Sequence, residues 1–330
     1  MTQNEFLQDL EAFLQEWHND EPTVWVHTSG STGIPKPLLV EKERMKASAR
    51  LTCQFLGLKK GDTALLCMPL QYIAGKMVVV RSQVAELRLI PVAPCGHPLK
   101  DLQEVPTFAA MIPMQVYNSL QVPEEKHILK HIKHLIIGGG AIDNTLSNEL
   151  KDFPNQVWST YGMTETLSHI ALRCLNGKEA SDWYTPFDSV RIRLSEENTL
   201  IIHAPNVCSE ELITNDIAEI NEEGKFRILG RKDNTINSGG VKIQIEQVEA
   251  LLREHLSTPI QITATPDAKF GEIVVLLYNK VEDEKEIKAI CEEKLPPYWQ
   301  PKRYIPIETL PLTGTGKPDR ATARRIARGK

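Results

Sequence analysis

The sequence predicts an α/β protein: a mostly parallel, layered sheet domain, then antiparallel strands, then a small α+β domain. Three observations carry this. Short apolar, β-rich runs alternate with helical patterns over the first half. From Val190 to Leu229 short strands follow one another closely with Asn, Glu and Gly turns between them, and after Gly230 strands and helices start afresh. Strand–helix alternation marks βαβ units and hence parallel pairing, whereas strands joined by tight turns pair antiparallel.

Phe6, Leu7, Leu10, Phe13, Leu14 and Trp17 recur at spacings of one, three and four, an amphipathic helix with one apolar stripe to lay on the body. The alternating strand runs are Val24 to His27, Ala64 to Cys67, Leu87 to Pro91, Phe108 to Ile112, His134 to Ile137 and Gln156 to Ser159. The antiparallel stretch turns at Glu196-Glu197-Asn198 and Asn221-Glu222-Glu223-Gly224. Beyond Gly230 come a glycine pair at Gly239 and Gly240, a helix near Gln244 to His255, strands near Ile260 to Thr265 and Glu272 to Leu277, and a helix near Asp283 to Lys294. The chain therefore divides into 1–230 and 231–330. The tail from Arg320 to Lys330 holds five basic residues and reads as a solvated helix end ahead of a phosphate site.

At 330 residues the chain is long enough for two domains and a sizeable core, and 41% apolar with 25% charged residues is an ordinary globular composition. A net charge of −5 repels polyanions, which argues against nucleic acid as a partner. No run approaches the length of a membrane helix, and residues 1–20 carry acidic side chains where a secretory leader has a basic start, so a cytoplasmic protein without membrane insertion is expected. The six cysteines are scattered without a C-x-x-C pair and are expected to be reduced. His127, His131 and His134 have helical spacing, but no carboxylate or cysteine completes a metal site with them.

The chemistry concentrates in loops. Thr28-Ser29-Gly30-Ser31-Thr32-Gly33-Ile34-Pro35-Lys36 follows a strand; its small residues leave backbone N–H groups free to surround phosphate oxygens, and Lys36 adds a point charge. A Walker A loop needs Gly-Lys-[Ser/Thr] entering a helix, and Pro35 and Pro37 around Lys36 break that match. This loop resembles the phosphate loop of the adenylate-forming superfamily of acyl-CoA synthetases, peptide-synthetase adenylation domains and luciferases. Further motifs follow in that family's order: Gly138-Gly139-Gly140-Ala141, Tyr161-Gly162-Met163-Thr164-Glu165-Thr166, Thr214-Asn215-Asp216, Gly230-Arg231-Lys232-Asp233-Asn234, Ser238-Gly239-Gly240 and Pro311 to Lys317. Asn215 stands where the family usually has glycine, a change that Asn tolerates in turns.

The resemblance implies ATP, Mg²⁺ and coenzyme A as reactants with an aromatic carboxylic acid. Joining a carboxylate to the α-phosphate brings two anions together, so cations and fixed donors are required. Lys36 and Lys317 are the candidate cations. Glu165 would hold Mg²⁺, and Thr164 would bond the adenylate phosphate. The nucleotide would lie among Thr28, Ser29, Gly30, Ser31, Thr32, Gly33, Gly139, Gly140, Tyr161, Gly162, Asp216 and Arg231, with Tyr161 facing adenine and Asp216 accepting from the ribose diol. Asp233 falls on the family's hinge. The small domain would swing there, presenting Lys317 for adenylation and the Ser238-Gly239-Gly240 face to the pantetheine arm for thioester formation.

Only 27 residues precede Thr28, where the superfamily has a large subdomain; the completeness of the later motifs points to a short working enzyme ahead of a remnant. Among compact members the chain resembles the o-succinylbenzoate–CoA ligases of menaquinone biosynthesis. Tyr72, Gly75, Lys76 and Arg81 mark the acyl pocket, and a second carboxylate on the acid would explain a cation there, with a salt bridge to a neighbouring acidic residue as the alternative. A stand-alone amino-acid adenylation domain and a noncatalytic acyl-adenylate binder are the competing readings. The first lacks an acidic anchor for an amine, and Lys36, Glu165 and Lys317 speak against the second.

Overall fold

The computed structural model describes residues 1–27, 37–140, 142, 144–256, 258–313 and 317–329. The chain opens with α1 (Gln3–His18), started by a capping box in which Thr2 Oγ1 accepts the Glu5 N–H and Glu5 accepts the Thr2 N–H. Phe6, Leu10, Phe13 and Trp17 are its buried stripe. β1 (Thr23–His27) and β2 (Pro37–Glu41) then pair antiparallel as a ribbon of their own, from Thr23↔Glu41 to His27↔Pro37. This corrects one expectation: the run Val24 to His27 does not begin the parallel sheet. Val24, Val26 and Val40 anchor the ribbon to the core.

The main sheet is built from β3 (Thr63–Leu66), β4 (Arg88–Pro91), β5 (Phe108–Met111), β6 (His134–Ile137), β7 (Val157–Gly162), β8 (His169–Cys174) and β9 (Thr185–Pro186), in the order β4-β3-β5-β6-β7-β8-β9. The pairs from β4 to β7 are parallel and the last two antiparallel. Its connections carry α2 (Lys42–Leu56), α3 (Ile73–Ala85), α4 (Pro113–Leu120), α5 (Pro123–His131) and α6 (Asn144–Leu150). Both faces are covered. Ala64, Leu66, Phe108 and Ala110 pack into one apolar cluster, while Leu65, Ala109 and Met111, between them in sequence, pack into another. Period-two strands buried on both sides read as continuous apolar runs, which is why they stand out in the sequence.

β10 (Arg191–Leu194), β11 (Thr199–His203), β12 (Leu212–Ile220) and β13 (Phe226–Arg231) form the expected antiparallel sheet. A third sheet holds β14 (Thr235–Ser238), β15 (Val241–Gln244), β16 (Ile260–Asp267), β17 (Gly271–Asn279) and β18 (Arg303–Ile307), with α7 (Ile245–Arg253), α8 (Glu284–Lys294) and α9 (Arg320–Ala327) around it. Ile262, Ala264, Val274 and Leu276 pack with α7 and α8 residues, and Val275 and Leu277 pack with Ala323 and Ala327 of α9. All six cysteines are free.

One ion pair ties α9 to α7. Arg320 donates to both oxygens of Glu249, at 2.5 and 2.7 Å, and Glu249 Oε1 also accepts the Ile262 N–H at 2.9 Å. The Glu249 side chain is 1% exposed. Removing one partner of such a pair leaves the other uncompensated, so Glu249→Ala is expected to cost about 3 to 5 kcal/mol. Urea unfolding checks this, and a loss below about 1 kcal/mol, the scale of an exposed pair, contradicts it.

Candidate active site

The parallel strands deliver two neighbouring loops to the sheet's carboxyl edge, where α/β folds place their ligands. Gly138, Gly139 and Gly140 follow β6, while Tyr161 and Gly162 end β7 and lead into a short 3-10 turn, Thr164–Thr166. A side chain at Gly162 would collide with the carbonyl of Ser168 and the backbone of His169, so the loop closes on itself only because this residue is glycine. Thr164 is buried beneath the turn and Glu165 is exposed on it. The phosphate loop from Thr28 to Lys36, including Ser29, Gly30, Ser31, Thr32 and Gly33, lies outside the described residues, as do Ala141 and Gly314 to Gly316. The pairs flanking the phosphate loop, His27↔Pro37 within the ribbon and His27↔Tyr72 to the start of α3, are described.

Three predicted residues from three strands, Tyr161, Asp216 and Arg231, meet at one carboxylate. The β12–β13 register sets Asp216 opposite Arg231. Tyr161 Oη donates to Asp216 Oδ2 at 2.6 Å and Arg231 Nη1 donates to Oδ1 at 3.0 Å. Thr214 Oγ1 accepts the Asp216 N–H and donates to the Leu200 carbonyl, fixing the strand beneath. Burial and then Asp216 push the Tyr161 hydroxyl far above its ordinary range, so it stays a donor. Its ring packs edge-on against Phe226, centroids 5.0 Å apart. Arg231 also donates to Asp233 at 2.8 Å; burial opposes its charge, but Asp233, Asp216 and Glu246 outweigh that and hold its pKa above the ordinary value.

Lys317 lies near this group without an ion pair to it among the described residues. It is half-buried, and burial and Arg231 lower its pKa while Asp216 raises it, so its ammonium feels both members of the pair. Its backbone closes a small loop: Lys317 N–H donates to Thr313 Oγ1 at 3.1 Å and its carbonyl accepts the Thr313 N–H at 2.7 Å. Gln261 holds the Pro311 carbonyl at 2.8 Å.

Asp233 lies in a single 3-10 turn, Lys232–Asn234, between the second and third sheets. Ser238, Gly239 and Gly240 close the β14–β15 hairpin; Gly239 and Gly240 have φ of 58° and 84°, the two-residue turn that requires positive φ at both centres. Nothing lies within 4 Å of a side chain placed on Gly240, so that face is open.

The acyl-pocket candidates separate. Gly75 lets α3 pack onto the Met68 and Pro69 carbonyls. Lys76 takes the salt-bridge alternative: Nζ donates to the Trp25 carbonyl at 2.6 Å, reaches Glu16 at 3.4 Å and sits 4.7 Å from the Phe13 ring centre. Its charge is thus committed to α1 and β1. Arg81 behaves differently. It is 2% exposed, Nη2 donates to Ser168 Oγ at 2.5 Å, and Nε has no partner. No carboxylate among the described residues pairs with it, and burial pulls its pKa down to about 10. Ser168 and His169, which sequence reasoning passed over, therefore join Arg81 to the loop carrying Glu165. A hydroxyl and an imidazole one residue beyond the Thr-Glu-Thr motif were the only signal.

Residues 3–208 match the model of the AMP-binding enzyme family, and residues 247–317 match the AMP-binding enzyme C-terminal domain. The chain is similar to 2-succinylbenzoate–CoA ligases from Bacillus mycoides and Bacillus cereus, 27% identical over 96% of this chain and 73% of the relative in each case. An acyl-CoA synthetase (AMP-forming)/AMP-acid ligase II-like protein from Dyadobacter fermentans is 31% identical over 97% of this chain and 94% of its own, with a TM-score of 0.66. The ATP- and magnesium-bound o-succinylbenzoate coenzyme A synthetase of Bacillus subtilis superposes with a TM-score of 0.76 at 22% identity, over 90% of this chain and 68% of its own, a likeness of fold.

The electrostatics of the junction give a signed expectation. Burial first and then Arg231 hold the Lys317 pKa below its ordinary value of 10.5, while Asp216 raises it. In NMR titration of the Lys317 ammonium, Arg231→Gln should move the midpoint up and Asp216→Asn should move it down. Shifts of the opposite sign would mean that Lys317 does not face this pair.

Proposed function

The chain belongs to the AMP-binding enzyme family, and from that premise we propose that it is an AMP-forming acid–CoA ligase acting on 2-succinylbenzoate, the acid that leads to menaquinone. The reading puts the enzyme in the cytoplasm with ATP, Mg²⁺ and coenzyme A as its other reactants. The observation that carries the choice of acid is Arg81. Arg81 has no counter-ion among the described residues, a costly state for a buried guanidinium unless a ligand completes it, and an acid with a second carboxylate supplies that partner.

The residues divide the work as follows. Asp216 accepts from the ribose diol while Tyr161 and Arg231 hold it in place, and Tyr161 lines the adenine side with Gly139, Gly140 and Gly162 beside it. Thr164 and the phosphate loop with Lys36 hold the phosphates. The exposed Glu165 carboxylate, a hard oxygen donor on a tight turn, suits Mg²⁺, whose charge would offset that of the phosphates. In the first step a carboxylate oxygen of the acid attacks the α-phosphorus and pyrophosphate leaves; Lys317 stands at the ribose end of this site to bridge the two anions. In the second step the coenzyme A sulfur attacks the acyl carbon and AMP leaves. The small domain, 231–330, turns about Asp233 between the steps and brings the Ser238-Gly239-Gly240 face to the pantetheine arm. An amino-acid adenylation domain would need a carboxylate anchoring the substrate amine, and Arg81 is the opposite charge.

Pyrophosphate exchange with a panel of acids tests the substrate. The diacid should be activated far better than 4-oxo-4-phenylbutanoate, which lacks the second carboxyl, and Arg81→Met should abolish most of that preference, at about 2 to 5 kcal/mol. Equal kcat/KM for the two acids would remove Arg81 from recognition. Lys317→Ala, in turn, should lose about 10²- to 10³-fold in exchange yet convert supplied acyl-adenylate and coenzyme A at a near wild-type rate. Full exchange in that variant would withdraw the role given to the loop.

A further inference from the structure

Behind Arg81 runs an unbroken chain of polar side chains, half-buried at Ser168 and buried at His169 and Thr52, that neither chemical step uses. Thr52 Oγ1 lies 3.0 Å from His169 Nε2, His169 Nδ1 lies 3.3 Å from Ser168 Oγ, and Ser168 Oγ accepts from Arg81 Nη2 at 2.5 Å. Thr52 and His169 are buried, and the members come from α2, from the start of β8 and its preceding turn, and from α3. Polar groups in an apolar interior are retained at a cost, and here they satisfy one another.

The backbone leading into the chain is strained. Leu167 has φ of 64° and ψ of −36°, and the Ser168 N–H donates back to the Thr166 carbonyl at 2.7 Å, the rare hand of γ-turn. Such a conformation at a non-glycine persists only where its surroundings over-determine it. Thr166 does this: its Oγ1 accepts the Met163 N–H at 3.0 Å and lies 2.8 Å from the Ser168 carbonyl. The turn delivers the Ser168 hydroxyl between Arg81 and His169.

Hydrogen-bonding rules give the chain direction. Burial and the neighbouring Arg81 drive the His169 pKa well down, so the ring is neutral, with one donor and one acceptor nitrogen. Thr52 Oγ1 donates to the Ser48 carbonyl at 3.4 Å and so accepts from the Nε2–H of His169, which leaves Nδ1 to accept from the Ser168 hydroxyl. Ser168 holds one terminal nitrogen of the guanidinium and so sets the rotation of its plane. A planar fork grips a carboxylate with two bonds only when the planes agree, and a few tens of degrees of rotation lose one bond.

We propose that Thr52, His169 and Ser168 are positioning residues that set the plane of Arg81 for the second carboxylate of the acid, and thereby the preference for a diacid over a monoacid. The inference rests on the reading of Arg81 given above. It is tested on the full-length protein by kcat and KM for 2-succinylbenzoate and for 4-oxo-4-phenylbutanoate. Thr52→Val, which keeps the shape and removes the hydroxyl, should raise KM for the diacid about 10-fold, the worth of one hydrogen bond, with the loss in KM and not in kcat. KM for the monoacid should stay unchanged, and Thr52→Ser should restore the diacid. Ser168→Ala carries the same expectation should Thr52→Val fail to fold. Equal shifts for both acids, or none in both variants, overturn the relay. Arg81→Met separates the two claims: if it abolishes the diacid preference while Thr52→Val and Ser168→Ala do not, the relay falls and the reading of Arg81 stands. If Arg81→Met leaves the preference intact, both fall.

Discussion

The pairing of Asp216 with Arg231 across β12 and β13 is the contact on which the rest of the site depends. A buried carboxylate is expensive, and two donors from different places, Tyr161 Oη and Arg231 Nη1, meet that cost, while the Asp216 N–H donates to Thr214 Oγ1 and fixes the strand. Each donor is thereby tied to a different part of the molecule. Tyr161 ends β7 of the main sheet, and Arg231 ends the second sheet and reaches Asp233 in the turn that leads to the third. Lys317 faces the same charges, repelled by Arg231 and attracted by Asp216. Without that carboxylate two cations would oppose each other across the junction.

Arg81 and Lys76 show how differently one helix can treat two cations. Both lie in α3 and both are buried. Lys76 gains a carboxylate, a carbonyl and an aromatic face, a set that offsets its desolvation within the folded chain. Arg81 gains one hydroxyl, and its Nε has none. Sequence spacing marks both as basic residues on an apolar helix. Only the partners distinguish a cation matched within the fold from one that is not.

That difference also explains which parts were legible beforehand. Strands β3 to β6 of the main sheet were read to within one residue because they are short apolar runs, and His134 to Ile137 coincides with β6, whereas β7 runs three residues beyond Ser159 and β8 and β9 were not read. The order of loop motifs singled out Tyr161, Asp216, Arg231 and Lys317 before any geometry; Tyr161 and Arg231 lie at strand ends, whereas Asp216 lies in the middle of β12 and Lys317 in the loop between β18 and α9. The β1–β2 ribbon was missed since Pro37 to Glu41 follows a loop rich in Gly and Pro, and a short edge strand beginning on proline carries little pattern. Glu16 could not be matched to Lys76, because 60 residues separate them. Nor could Thr52 be matched to His169: single polar residues in buried segments have no period.

The third sheet carries two of the proposed working parts, the Lys317 loop and the Gly239-Gly240 turn, and its internal bonding bears on how they would act. Gln261 in β16 grips the loop at Pro311, and Arg320 just beyond it is clamped to Glu249 of α7. The glycine turn joins β14 to β15 and is pinned to the loop before β17 by the Gly239 N–H on the Phe270 carbonyl. Both parts are thus fastened to one framework whose core is its own. Local flexing of either part would break these hydrogen bonds. On the two-step reading the framework must move as a unit, so what brings Lys317 to the ribose end takes the glycine face away. The exclusion of one step by the other then follows from rigidity within the small domain, with all of the freedom left to the few residues around Asp233.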